Sequence, residues 1–448
     1  MTHRKTRAQA SVDTRFRGNL ELSIHRLPNE IIARILLTGC PLPDHRHKEI
    51  DTEPLTYQVL VTSICRLWRQ IALHSPSLWT SVVVRPPLMK SLSLYRKELA
   101  AVLARSGTLE LDISIKAVPY NKNSSQYYNL LSPHLSRAHT LDIETGVFLD
   151  DLIPVSCIPE LGKLRHFYVK GRRYFRGNQV VLPLNVRNAP LETFHYLISS
   201  PLRMSSVPQA ELQTLTLHLH DGVDQAEDLV KLVNNSRLQK LDLKAWNWNP
   251  GATISSPTLI HLDIGMLRLP VCLGQLPNLL HLRLDVTTVY PERRAMIRPS
   301  LPSLRSLHVK TGGAYAYGPF LKFILQHAQQ FVALQIMDAD AREVIDLFRE
   351  RWDKNDYDLD GAARESLRLV RVVIREPLST ERLGNLSELA LILHAQRPHV
   401  QTEWYSLAGD GRRFPPVVLD GIEATLVSEE PSPPLFKCAD EIIGASGI

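Results

Sequence analysis

The sequence has little of what disulfide scaffolds, zinc sites and membrane spans require. Its 448 residues include only five cysteines, and no two of them form a C-x-x-C pair. Scattered cysteines of odd number predict reduced, buried thiols. No apolar run reaches the roughly 18 residues of a membrane-spanning helix, and the first residues lack the apolar stretch of a secretory signal. These absences predict a soluble intracellular protein of the cytoplasm, the nucleus or both.

Signatures of catalysis and of metal binding are missing too. The chain has no nucleophile elbow, phosphate loop, H-E-x-x-H helix or dinucleotide fingerprint. His218 and His220 would share a strand face, but no third metal ligand is near them in the sequence. Residues 356–361 resemble the start of a calcium loop, yet its twelfth position is Leu367 rather than glutamate. We therefore predict a non-catalytic protein with no cofactor and no metal site.

The charge balance is only mildly basic. There are 52 basic and 46 acidic residues, for a net charge of +6, which is too little to indicate nucleic-acid binding over so large a surface. The first seventeen residues concentrate five basic residues against one acidic residue. We predict a disordered basic tail over 1–22, and a nuclear-import or phosphate-contacting arm is the alternative function for it.

Apolar residues at helical spacing begin at Leu27. Pro28 suits a first helical turn, where its missing N–H costs nothing, and Glu30 complements the positive end of the helix dipole. The helix predicted from Pro28 places Gly39 as its C-cap, before Pro41 and Pro43. Its apolar residues at helical spacing are Ile31, Ile32, Ile35 and Leu36.

A second helix is predicted from Leu60 to Ala72, with apolar residues on more than one face. Two stripes run along this segment at helical spacing. The first comprises Leu60, Ile64, Leu67 and Ile71, and the second comprises Val61, Cys65, Trp68 and Ala72. A helix so near a chain end has little domain around it, so this surface predicts burial against a partner.

The complete set of motif positions in 23–85 resembles an F-box domain. They are Leu27-Pro28-x-Glu30-Ile31-Ile32, Ile35-Leu36, Cys65-Arg66-x-Trp68-Arg69-x-Ile71-Ala72 and Ser75-Pro76-x-Leu78-Trp79. The resemblance implies a three-helix module that inserts into the Skp-type adaptor of a cullin-RING ubiquitin ligase. The insert 41–56 is longer and more charged than the family pattern. The residues expected to bind the adaptor or to pack among the module's own helices are Leu27, Pro28, Ile31, Ile32, Ile35, Leu36, Cys65 and Trp68.

Copies of the pattern L-x-x-L-x-L follow, and the clearest five start 20 to 26 residues apart. This period is typical of leucine-rich repeats, in which each copy supplies a short strand. Strong copies begin at Leu212, Leu238, Leu259, Leu279 and Leu304, weaker ones begin at Leu164, Leu191, Phe331, Leu367 and Leu386, and Leu109–Ile115 and Leu141–Ile143 resemble the first strands. With Ala104-Arg105-Ser106-Gly107 at the junction, the chain resembles fungal F-box proteins with irregular leucine-rich repeats.

The predicted fold is therefore α/β, with a three-helix F-box followed by a degenerate leucine-rich-repeat solenoid over 86–395 and a C-terminal cap with a loosely ordered tail over 396–448. The implied function is that of a substrate-recognition subunit of a Skp-cullin-F-box ubiquitin ligase. Its partners would be the Skp-type adaptor, a cullin through that adaptor, and an unknown protein target, with neither membrane nor nucleic acid expected. The alternative is a leucine-rich-repeat interaction scaffold whose F-box-like segment only caps the solenoid.

Overall fold

The computed structural model has a mixed α/β fold. It describes residues 23–40, 54–84, 92–118, 124–145, 161–171, 184–197, 202–219, 226–245, 253–267, 272–286, 301–311, 332–337, 367–375, 387–389, 391, 401–407, 418–419, 422–423 and 425–427. The predicted basic tail at 1–22, most of the insert 41–56, His220 and the acidic segment 356–361 lie outside these residues.

The chain divides into two compact units, and the first contains the described residues up to Gly171 together with 184–190. Its helices are α1 Asn29–Thr38, α2 Pro54–Ile64, α3 Arg66–Leu73, α4 Leu92–Arg105, α5 Ser124–Leu135 and α6 Leu184–Arg187, with 3-10 turns at Ser23–Arg26 and Pro76–Trp79. Its strands are β1 Ser81–Val84, β2 Leu111–Val118, β3 Ala138–Thr145 and β4 His166–Gly171. The four strands lie side by side in chain order and pair in parallel.

The prediction of a helix at Pro28 is confirmed. Pro28 is the N-cap of α1, and its carbonyl accepts the backbone N–H groups of Ile31 and Ile32 at 3.0 and 3.1 Å. At the other end, the N–H of Gly39 donates to the carbonyl of Ile35 at 3.0 Å, so Gly39 is the C-cap. Both ends of α1 therefore follow from local sequence signals.

The prediction of one continuous helix from Leu60 to Ala72 is wrong, because the chain is extended at Cys65. Cys65 has φ −155° and ψ 172°, and its Sγ accepts the backbone N–H of Trp68 at 3.4 Å. The thiol thus takes the place that a serine or threonine oxygen usually holds at an N-cap. Helix α2 ends before Cys65, and α3 begins after it.

Buried hydrogen bonds join the helices to the first strand. Gln58 on α2 is fully buried, and its Nε2 donates to the carbonyls of Leu78 at 2.8 Å and of Ser81 at 3.3 Å. The indole of Trp79 is also buried and donates to the carbonyl of Ala72 at 2.8 Å. Since β1 pairs with β2, the structure groups residues on both sides of the predicted boundary at 85 in one compact unit.

The second unit contains the described residues from Leu191 onward. Its strands are β5 Thr193–Leu197, β6 Thr214–Leu219, β7 Lys240–Ala245, β8 Thr253–Ile254, β9 His261–Leu267, β10 Cys272–Leu273, β11 His281–Val286, β12 Ser306–Thr311, β13 Ala333–Met337, β14 Leu369–Arg375, β15 Gln401–Leu407, β16 Val418–Leu419, β17 Ile422–Glu423 and β18 Thr425–Val427, with helix α7 at Ala226–Asn235 and a 3-10 turn at Met204–Ser206. All except β8, β10, β16 and β17 form one parallel sheet in chain order.

The leucine pattern predicts where these strands begin. In each strong copy the strand starts two residues after the first leucine, as with Leu212 and β6. The copy at Leu386 is the exception, because Ser387–Leu389 are helical and the predicted strand is wrong. That copy consists largely of leucine, alanine and glutamate, which favour helix over strand. The segment 396–448, predicted to form a C-terminal cap and a loosely ordered tail, contributes β15, which pairs with β14 over seven residues.

The core of the second unit is a row of side chains in strict register across its strands. Neighbouring strands pair at Leu215, Leu241, Leu262, Leu282, Leu307 and Leu334. All six side chains are buried. Because side chains alternate across a strand, the residues immediately before and after each of these leucines lie on the opposite face of the sheet.

Replacing Leu241 with alanine tests this core. Leu241 has 0% exposure, so Leu241→Ala should lower the free energy of unfolding by about 2 to 5 kcal/mol through lost apolar burial and a residual cavity. Denaturant unfolding measures the loss. Lys240→Ala, one residue away on the exposed side, should change it by less than about 0.5 kcal/mol. Equal losses in both variants would contradict the assigned register.

Candidate docking surface

The N-terminal helices of the first unit expose apolar side chains. On and just before α1, Leu27, Ile31 and Ile35 are 38%, 43% and 42% exposed and follow one another at intervals of four residues. Ile32 and Leu36, on the other side of the helix, are 0% and 2% exposed. We call Leu27, Ile31 and Ile35 the α1 stripe. It is the part of the predicted apolar helix that the protein's own core does not use.

Helix α2 shows the same division. Val59, Leu60 and Ile64 are 56%, 56% and 51% exposed, whereas Gln58 and Val61 face inward at 0% and 2%. We call the three exposed residues the α2 stripe. The two stripes comprise six exposed isoleucine, leucine and valine side chains, and Leu37 on α1 is exposed as well. Surface helices normally carry such residues scattered singly.

Two contacts join the ends of the helices that carry the stripes. His25 Nε2 lies 3.9 Å from Cys65 Sγ, which places the start of the α1 stripe beside the end of the α2 stripe. At the opposite ends of these helices, the hydroxyl of Tyr57 donates to the carbonyl of Leu36 at 2.8 Å. The helices that carry the stripes are therefore held together at both ends.

The residues predicted to bind an adaptor fall into three groups. Leu27, Pro28, Ile31 and Ile35 are exposed, Ile32 and Leu36 are buried in the module, and Cys65 and Trp68 are half-buried. The sequence pattern had placed Leu60 and Ile64 on an apolar face without including them, or Val59, in the predicted site. They were left out because the motif positions that resemble an F-box do not include them.

The strands carry polar side chains that alternate with the buried leucines. In the first unit, Asp142 is buried and its Oδ2 accepts Lys116 Nζ at 2.9 Å and Ser114 Oγ at 3.0 Å. Each partner comes from the neighbouring strand. An ion pair this deep is stable only because hydrogen bonds compensate for the loss of water.

The second unit carries a longer polar row, in register on nine strands. It runs through His195, Thr216, Asp242, Asp263, Arg283, His308, Gln335, Arg371 and Glu403. Near its end Arg371 Nε donates to Glu403 Oε2 at 2.7 Å, and beside the row Lys310 Nζ lies 2.7 Å from Asp285 Oδ2. We call this set the polar row. It contains charges of both signs and hydrogen-bonding groups; four of its members are buried and the others are half-buried.

The carboxylate of Asp242 is ionised. Burial acts to raise its pKa, but His218, Lys244 and Lys240 outweigh burial and hold the pKa below its usual range. His218 Nε2 and Lys244 Nζ lie 3.8 and 4.0 Å from its Oδ1. Both separations are longer than a hydrogen bond.

Two histidines of this face are neutral. Burial, with His261 and Arg305 nearby, lowers the pKa of His281 to about 3, and its Nδ1 lies 2.8 Å from Ser306 Oγ. Burial, together with surrounding cations that include Arg283 and Arg371, lowers the pKa of His308 well below its ordinary value. Two imidazole rings on the polar face are therefore uncharged.

Comparisons with known proteins add no assignment, since neither the scan against family models nor the search of curated proteins finds a match. Within the described ranges, no three histidine, cysteine or carboxylate side chains come together as metal ligands. In the same part of the chain, no helix is both long and apolar enough to cross a membrane.

The neutral state of His281 makes folding sensitive to acid. An unfolded histidine gains its proton near pH 6.5, whereas folded His281 does so only near pH 3. Stability should therefore fall as the pH drops from about 6.5 toward 3, and this group should contribute up to about 3 kcal/mol of the loss by pH 4. Denaturant unfolding at several pH values should show a shallower slope for His281→Gln than for the unsubstituted protein. The exposed His74→Gln control should keep the full slope.

Proposed function

We propose that this protein is an F-box substrate receptor of a Skp-cullin-F-box ubiquitin ligase. The exposed α1 stripe is the observation that carries the proposal. Leu27, Ile31 and Ile35 belong to the motif that resembles an F-box, yet the module's own core is completed by Ile32 and Leu36. Side chains that a fold leaves exposed in a contiguous apolar strip are suited to a partner.

The parallel sheets support the second half of this proposal. Each copy of the leucine pattern from Leu191 to Leu367 supplies one strand, and successive strands lie side by side in chain order. This is the arrangement expected of stacked leucine-rich repeats, whose units bury their leucines against their neighbours. The half-buried members of the polar row, which carry charges of both signs, would then contact a protein target.

A receptor of this kind needs no catalytic residue. Binding the adaptor through the helices and the target through the repeats raises the effective concentration of the target near the ubiquitin-charged enzyme. Within the first unit, the hydrogen bonds of Gln58 and Trp79 hold α2 and α3 around the start of β1.

The second candidate is a leucine-rich-repeat scaffold whose helical segment only caps the repeats. The burial of Gln58 and Trp79 against β1 favours it, because a cap must cover the end of a sheet. A cap alone, however, gives no physical reason for exposed apolar stripes on the outer sides of α1 and α2. Adaptor binding separates the two functions.

A pulldown of purified Skp-type adaptor by the full-length protein tests the proposal. Ile31→Glu should weaken binding at least tenfold, because it places a charge in the α1 stripe where desolvation is costly. Leu27→Ala/Pro28→Ala should weaken it as well. Circular dichroism and thermal unfolding should show that the folded state is retained, since these side chains are exposed.

The matched control is Leu109→Glu. Leu109 is 42% exposed, almost the same as Ile31 at 43%, and lies outside both stripes. This variant should bind the adaptor like the unsubstituted protein. Failure of the unsubstituted protein to bind would leave the scaffold function and remove the ubiquitin-ligase proposal.

A further inference from the structure

Arginines surround both apolar stripes. Arg26, Arg34, Arg66 and Arg69 are all exposed, and Glu30 is the only carboxylate on the described part of the three helices. Among the described residues, no carboxylate lies within ion-pair distance of these four guanidinium groups, in contrast to Arg371 in the polar row and Lys310 beside it. The local charge is therefore positive and is not neutralised by the described part of the module.

Each arginine is placed close to a stripe residue. Arg26 immediately precedes Leu27, and Arg34 adjoins Ile35 and lies three residues from Ile31, so it neighbours the α1 stripe on the helix surface. Arg66 follows the end of α2 by two residues.

Arg69 is held in place by a hydrogen bond. Its Nε donates to the carbonyl of Thr62 at 2.6 Å, which fixes the side chain against the last turn of α2, between Leu60 and Ile64 in the sequence. An arginine fixed in this way loses less side-chain entropy when a partner binds.

We propose that the docking partner presents an apolar groove with an acidic rim, and that these arginines steer its association. This inference rests on the proposed function, because it describes the adaptor's binding site. Rim charges act mainly on the association rate, whereas the apolar stripes set the lifetime of the complex. The partner's carboxylates would pair with the guanidinium groups, which are suited to two-point hydrogen bonding.

Two other occupants are less compatible with this surface. A second copy in a two-fold dimer would bring the same positive surface against itself, which like-charge repulsion opposes. An anionic membrane would also attract arginines, but a membrane-surface helix presents one broad apolar face. Here the apolar side chains are divided between two separate helices, and roughly half of each side chain is covered.

The test measures association and dissociation rates of full-length protein with purified Skp-type adaptor, at salt concentrations from about 0.05 to 0.5 M. Arg34→Glu and Arg66→Glu should each slow association about threefold to tenfold at low salt, change dissociation by less than about twofold, and reduce the salt dependence. Lys97→Glu on α4, an equal charge reversal at an exposed lysine, should leave both rates unchanged.

The outcomes separate this inference from the proposed function. Adaptor binding that is insensitive to salt and to both arginine substitutions would overturn the acidic rim while leaving the receptor function intact. No binding by the unsubstituted protein would overturn both. The protein could instead sediment with phosphatidylcholine vesicles that contain phosphatidylserine and not with vesicles of phosphatidylcholine alone. If Arg34→Glu abolished this sedimentation, the arginines would be assigned to membrane binding and the acidic rim would be overturned.

Discussion

The register between neighbouring parallel strands is the constraint on which both units depend. Leucines from successive copies of one pattern meet across the sheet, as Leu241 does with Leu215 and Leu262. A slip of one residue would turn every leucine of a strand away from the core and bury the polar residues in its place. No single copy can bury its leucines alone, so the energy that stabilises each strand comes from the strands beside it.

The same register builds the polar face. Charged and polar side chains that are 20 or more residues apart in the chain become neighbours because the leucines between them are aligned. Lys310 and Asp285 form a 2.7 Å ion pair on that basis, and His281 stacks on His261 with ring centroids 4.5 Å apart. The face therefore inherits its geometry from the core.

In the N-terminal helices, some apolar side chains are buried in the module and others are exposed. Ile32 and Leu36 stabilise the module, and the α1 stripe remains for the proposed adaptor. Buried hydrogen bonds of Gln58 and Trp79 join α2 and α3 to the turn and strand that follow them. Arginines beside the stripes add charge to the apolar surface without being neutralised by the described part of the module.

The sequence by itself determined the periodic features of this protein. Helical spacing and the signals at Pro28 and Gly39 placed α1, and the leucine pattern placed the strands from β4 to β14 apart from the two short strands β8 and β10, because both kinds of signal depend on residues close together in the chain. It did not reveal the break at Cys65 or the helical turn at Ser387–Leu389, where a thiol cap and helix-favouring residues outweighed the repeating pattern. Only the tertiary structure decided which apolar residues of the helices are exposed and which distant charges form pairs. These properties depend on packing between segments far apart in the sequence, and no local pattern encodes that packing.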